Sequence, residues 1–119
     1  MSKIMLIDDD VVMIDLLTTL LGMEDYDVIT PPIDENIFQT IQNETPDVIL
    51  MDVYLKDSNG DDVDGLSLLS RIREDTRLDG LKIIISSGID FREKSIAAGA
   101  DSFLHKPYMP GSLIELIKK

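Results

Sequence analysis

Short apolar runs of strand length alternate along this chain with stretches of helical periodicity, and that alternation leaves few folds open. Residues 3–7, 27–30, 47–51, 82–86 and 102–104 read as strands, four of them nearly continuous in Ile, Val, Leu and Met. Continuous runs of this kind suit strands covered on both faces. Between them Ile14, Leu17 and Leu21 recur at helical spacing, as do Ile37 and Ile41, then Leu66, Leu69 and Ile72. Segments 91–98 and 110–118 complete the pattern, with Pro110 at a helix start, where its missing N–H costs little. A strand followed by a helix, five times over, implies parallel neighbours joined by right-handed crossovers, with helices on both faces. The expected fold is α/β: a doubly wound, five-stranded parallel sheet with five helices in three layers.

Bulk properties exclude several classes. The chain has 119 residues, no linker, no low-complexity tract and no internal repeat, so residues 1–119 are expected to form one domain. The absence of cysteine excludes disulfides and thiolate metal sites. No apolar stretch approaches the roughly 20 residues that a bilayer crossing needs, and Met-Ser-Lys leads straight into a strand. A soluble, cytoplasmic protein without a membrane partner is expected. The formal net charge of −12 argues against direct nucleic-acid binding, which draws its affinity from Lys and Arg on phosphates.

In open parallel sheets ligands sit beyond the carboxyl ends of the strands, and those ends are chemically pointed here. The first run, IMLIDDD, closes on Asp8, Asp9 and Asp10; PDVILMD closes on Asp52; KIIISS closes on Ser86 and Ser87; the fifth run is followed by His105, Lys106 and Pro107. A parallel sheet gathers all of these on one edge. Crowded carboxylates repel, so either one keeps a proton or a cation sits among them. Oxygen ligands without imidazole or thiolate favour Mg2+, which takes one or two carboxylates, waters and a phosphate oxygen. A lysine supplies a point charge to a phosphate oxygen and a serine hydroxyl a further donor. Such a set suits phosphoryl transfer, with Asp52, alone at its strand end, as the natural nucleophile. Each residue singly also has an ordinary reading: Asp10 as a helix cap, the serines as loop residues, Lys-Pro as a turn. Their joint placement at successive strand ends argues against coincidence.

With IDDD, ILMD, IISS and HKP in this order over essentially the whole chain, the sequence resembles the receiver domain of two-component response regulators. The resemblance implies a flavodoxin-like sheet of order 2-1-3-4-5. It also implies phosphate accepted from a sensor histidine kinase or histidine phosphotransfer protein, and a signal passed to a downstream protein target or output domain. Carried over by position, Asp52 corresponds to the phosphoacceptor, and Asp8 and Asp9 to the Mg2+ pair, Asp9 being the direct ligand. Tyr54 would add its backbone carbonyl to the metal. Ser86 corresponds to the hydroxyl that moves toward the phosphoryl group, Lys106 to its ion-pair partner ahead of a cis Pro107, and Phe103 to the aromatic switch, a position equally open to a plain core residue. The domain would be a phosphoacceptor rather than an enzyme with a separate substrate.

Departures from the family pattern are informative. VYLKDSNGDDV, between Asp52 and Asp64-Gly65, exceeds the usual link and lacks its Met-Pro. Asp57, Asp61 and Asp62 in it are expected to lie in a solvated acidic loop, with cation capture or closure as a lid the alternatives. GIDFREKSIAAGA stands where the fourth helix belongs and implies a truncated or irregular one, leaving the oligomeric state open. Val11, Val12, Met13 and Ile14 are more apolar than one buried face requires, so they form a docking patch or pack under the long loop. His105, the one histidine, is expected to be an exposed neighbour of Lys106. Two other classes compete with a working receiver. One is a degenerate receiver acting as a phosphate-independent interaction module; the other is a small haloacid-dehalogenase-like phosphatase suggested by Asp8-x-Asp10.

Overall fold

The computed structural model describes residues 2–119. Five strands form the main sheet: β1 (Lys3–Ile7), β2 (Asp27–Ile29), β3 (Val48–Asp52), β6 (Lys82–Ser87) and β7 (Ser102–His105), in the order β2-β1-β3-β6-β7. Every neighbouring pair in it is parallel. Counted within this sheet the order is 2-1-3-4-5, with one reversal beside β1. Among the described residues five α-helices accompany the sheet: α1 (Val11–Met23), α2 (Ile37–Glu44), α3 (Gly65–Glu74), α4 (Arg92–Ala97) and α5 (Pro110–Lys118).

Successive strand side chains point to opposite faces, and the sheet divides its apolar residues accordingly. Ile4, Leu6, Val48, Leu50, Ile84 and Leu104 pack with Leu17 and Leu21 of α1 and with Leu113 and Ile117 of α5. Met5, Ile7, Ile49, Met51, Ile83, Ile85 and Phe103 pack with Ile37 and Ile41 of α2 and with Leu68, Leu69 and Ile72 of α3. Strands buried on both faces need no polar side, which is why these segments read as unbroken apolar runs.

Local signals set the helix starts. Asp10 caps α1 by accepting from Met13 N–H at 3.2 Å, and Asp64 caps α3 by accepting from Leu66 N–H at 2.9 Å. Each cap fixes where the chain turns out of the sheet edge into its helix. Of the helical stripe expected in α1, Leu17 and Leu21 are buried and Ile14 is half-buried. Val11 and Val12 stay 70% and 79% exposed, so nothing covers them and they do not pack under the long loop. The fourth helix is short, six residues, in line with the irregular segment expected there.

The link after Asp52 departs from expectation. Instead of a solvated acidic loop it forms an antiparallel hairpin, β4 (Tyr54–Lys56) and β5 (Asp62–Asp64), pairing Tyr54 with Asp64, Leu55 with Val63 and Lys56 with Asp62. The physical reason is a period-2 pattern: Leu55 is buried and Val63 packs against the core, while Tyr54, Lys56, Asp62 and Asp64 face outward. The turn is closed by Asp57 N–H donating to Asp61 O and Gly60 N–H to Asp57 O, both at 2.9 Å, with Gly60 at φ +84°. Asp57 Oδ1 accepts from the N–H groups of Asn59 and Asp61. Ser58 N–H donates to Ile33 O at 2.9 Å, so the tip is tied to the connection between β2 and α2 rather than hanging as a lid.

Candidate functional site

The carboxyl ends of β1, β3, β6 and β7 bring Asp8, Asp52, Ser86 and Lys106 to one edge of the sheet. Asp8, mostly buried, follows β1 directly, and its Oδ1 accepts from Asp10 N–H at 3.0 Å. Asp52 ends β3 and is paired in register with Ser86 on β6. Lys106 follows β7, and its Nζ donates to Asp8 Oδ2 at 3.1 Å and to Asp52 Oδ2 at 3.0 Å. The peptide between Lys106 and Pro107 is cis, as the resemblance implied. One oxygen each from Asp8, Asp9 and Asp52 lie within 4.8 Å of one another.

The electrostatics follow from burial and from the shared ammonium. Burial pushes the Asp52 carboxyl above its ordinary pKa; the hydrogen bond and charge of Lys106 pull it down only in part, and the neighbouring Asp8 adds to the rise. Burial opposes the charge on Lys106, but the Asp52 hydrogen bond and the Asp8 charge outweigh it and hold the ammonium above its usual pKa. Burial likewise pushes the Tyr108 hydroxyl up to about 12. Lys106 bonds two of the three clustered carboxylates, Asp8 and Asp52, which leaves a formal surplus of negative charge at this edge.

Ser86 Oγ is fully buried and has no hydrogen-bond partner. Leaving such a hydroxyl unsatisfied costs roughly 1–3 kcal/mol, and a group kept at that cost on the strand beside Asp52 suits an incoming oxygen. Ser87 differs: its Oγ accepts from Ile89 N–H at 3.2 Å and shapes the following turn.

The structure therefore brings together Asp8, Asp9, Asp52 and Lys106, with Ser86 beside them. Tyr54 opens β4 two residues after Asp52; its ring is 60% exposed and meets Phe91 edge-on at 5.7 Å between centroids. Phe103 is 3% exposed within the core, and the Arg92 guanidinium lies 5.5 Å from its ring centroid. His105 is exposed. Two participants carried no sequence signal: the backbone N–H of Lys56, which donates to Asp9 Oδ2 at 2.8 Å, and the buried, unpartnered hydroxyl of Tyr108. A main-chain donor leaves no trace in residue identity, and Tyr108 reads simply as the residue after Lys-Pro.

Residues 4–118 match the response regulator receiver domain family. Among curated relatives, the transcriptional regulatory protein CpxR homolog of Haemophilus influenzae is 34% identical over 121 residues, covering 99% of this chain and 49% of the relative. The transcriptional regulatory protein KdpE of Staphylococcus aureus is 36% identical over 110 residues, covering 90% and 44%. The chain thus spans about half the length of the curated relatives it matches. The BeF3-activated N-terminal receiver domain of Klebsiella pneumoniae RstA superposes with a TM-score of 0.83 at 25% identity, covering 98% of this chain and 96% of that one. The chemotaxis response regulator CheY4 of Vibrio cholerae, at 22% identity and TM-score 0.83 over 99% and 97% of the two chains, shares the fold. Sheet order, the strand-end chemistry and the match from residue 4 to residue 118 agree, and the chain belongs to the receiver domains of two-component response regulators.

Proposed function

We propose that this chain is a working receiver that takes a phosphoryl group onto Asp52 from a phosphohistidine of a sensor kinase or phosphotransfer protein and answers with changed partner binding. The observation that carries the reading is Lys106 Nζ donating to Asp52 at 3.0 Å, with Ser86, whose buried hydroxyl has no partner, paired in register with Asp52 on the next strand. An Asp52 carboxylate oxygen attacks phosphorus in line, the P–N bond breaks, and the donor imidazole keeps the electron pair and later gains a proton. Lys106 and Ser86 then each offer a donor to the equatorial oxygens.

The donor set fits Mg2+. Three carboxylates with oxygens this close, and no imidazole or thiolate beside them, form a hard-oxygen site. Asp8, Asp9 and Asp52 would hold the ion, with the backbone carbonyl of Tyr54. When bound, Mg2+ supplies neutralising charge to the site and to the phosphoryl oxygens. Removing the metal should therefore abolish phosphorylation.

The domain's only chemistry on this reading is its own phosphorylation and dephosphorylation, so it is a signalling element and not an enzyme. Its switch is a shift between two packings: Ser86 moves toward the phosphoryl group and Phe103 follows into the space released. No described helix is long and apolar enough to cross a membrane, and the reading places the chain in the cytoplasm with its kinase. Val11 and Val12, exposed beside the site, are where the donor's helix docks.

Intact mass measured after incubation with acetyl phosphate tests the assignment. Wild type should gain one phosphoryl group only with Mg2+ present, and Asp52→Asn should gain none while keeping its fold. Phosphate on Asp52→Asn would overturn the nucleophile; a folded wild type that gains nothing would favour a phosphate-independent module.

A further inference from the structure

Asp9 is held differently from the other two carboxylates of the cluster. Asp8 accepts from Asp10 N–H and from Lys106, and Asp52 accepts from Lys106. Asp9 is exposed, and the hydrogen bond it accepts comes from 47 residues further along, from the Lys56 backbone N–H at 2.8 Å. An exposed carboxylate left to itself samples several rotamers, and a ligand must then immobilise it at the moment of binding.

The Lys56 donor is available because of the hairpin register. Lys56 lies opposite Asp62, and the bond that closes the ladder beyond this pair is Asp57 N–H to Asp61 O, so the Lys56 N–H points out of the hairpin toward Asp9. The strand that presents it is fixed chiefly at its turn, the exposed Lys56–Asp62 pair adding little. Lys56 and Asp62 form an ion pair; Asp57 organises the turn; Ser58 donates to Ile33 O through both N–H and Oγ, at 2.9 and 3.3 Å.

We infer that the Lys56 N–H is a positioning group for Asp9 toward a divalent cation, with the β4–β5 hairpin as its rigid mount. The inference rests on the metal reading above and adds to it a role for a segment that otherwise looks like a surface insertion. The amide occupies Oδ2 and leaves the second oxygen of the same carboxylate for the ion. It also draws off part of the negative charge that sets Asp9 against Asp8 and Asp52. Donors that orient a metal ligand in this way affect affinity by about 10–100-fold when removed.

Because the N–H lies outside the ladder, Lys56→Pro removes this donor and no backbone bond of the hairpin, along with the side chain that pairs with Asp62, and the extended Leu55 before it tolerates a following proline. Lys56→Ala keeps the donor and removes only the side chain. Titration of the full chain with MgCl2 by calorimetry should give similar affinity for wild type and Lys56→Ala, and affinity about 10–100-fold weaker for Lys56→Pro. Equal affinity in a Lys56→Pro protein with an unchanged melting temperature would overturn the inference. A wild type that takes up no Mg2+ would instead overturn the metal reading beneath it. Amide hydrogen exchange, read without any change in the hairpin, guards against a Lys56→Pro chain that fails to fold. The Lys56 amide should be protected in wild type and lose that protection selectively in Asp9→Ala; retained protection there would show that Asp9 is not its partner.

Discussion

Gly65→Ala is expected to be among the most damaging single-methyl additions in this protein, because the methyl group would enter the backbone that carries Asp52. A Cβ built on Gly65 overlaps the carbonyl oxygen of Asp52 and lies 3.1 Å from both Asp52 C and Val53 Cα. Carbon atoms rest at about 3.5–4.0 Å, and the oxygen overlap is worse, so the start of α3 and the end of β3 must part by roughly 1 Å. Neither side is a flexible side chain, and Gly65 N–H is bonded to Val53 O at 2.8 Å. Overpacking against an unyielding neighbour costs about 1–3 kcal/mol, and this contact belongs at the upper end. With an unfolding entropy near 2.1 cal/mol/K per residue, about 3 kcal/mol lowers the melting temperature of a chain this long by roughly 12 °C. A displacement near 1 Å at a reacting group costs on the order of 100-fold in rate, so phosphorylation by acetyl phosphate should slow by about that factor. Gly22→Ala, in α1 with open space around its Cβ, is the matched control: the same added methyl should raise stability by about 0.5–1 kcal/mol. A Gly65→Ala protein that melts within about 2 °C of wild type and is phosphorylated at the wild-type rate would refute the steric argument.

Asp75 tests the electrostatics away from the site. Hydrogen bonds from Arg77 and then Gln42 hold its carboxyl well below the usual carboxylate range. A depressed folded-state pKa contributes stability that is fully present above the unfolded value near 4 and fades as pH falls below it. The melting-temperature advantage of wild type over Asp75→Asn should thus be largest near neutral pH and shrink from about pH 5 to pH 3; a pH-independent gap would contradict it. Val12→Glu, at a position 79% exposed, should change stability by no more than about 0.5 kcal/mol. It should slow phosphotransfer from the cognate protein donor and leave the acetyl phosphate rate alone; equal slowing with both donors would move the effect from docking to the site itself.

What could be read in advance depended on how chemistry is written in the chain. The five sheet strands were legible to within a residue or so at each end; β1, β3 and β6, covered on both faces, are written as apolar runs that polar surroundings interrupt. The edge that collects Asp8, Asp9, Asp52 and Lys106 followed from the strand ends alone. The hairpin was missed, although its signal was present: Leu55 and Val63 alternate with polar neighbours on either side of Asn59-Gly60, a turn pair suited to a tight reversal. Four aspartates in this short segment mask the alternation. Asp10 showed its capping role in its position before an apolar helix. The Lys56 amide, the orphaned hydroxyls of Ser86 and Tyr108 and the Arg92 guanidinium over Phe103 were not legible, since each depends on where the backbone places a group and not on which residue it is.

The lysine shared between two carboxylates also sets a timetable. Lys106 follows Asp8 by 98 residues and Asp52 by 54, so a chain emerging from the ribosome exposes both acids long before their common counter-charge exists. At about 5–20 residues per second, the interval between Asp52 and Lys106 is roughly 3–11 s. During it, pairing β1 with β3 brings two uncompensated carboxylates together, and that repulsion works against early closure of the site. The edge that gathers Asp8 and Asp52 therefore gains its shared counter-charge only when residue 106 is available, so completion of the site waits on completion of the sheet.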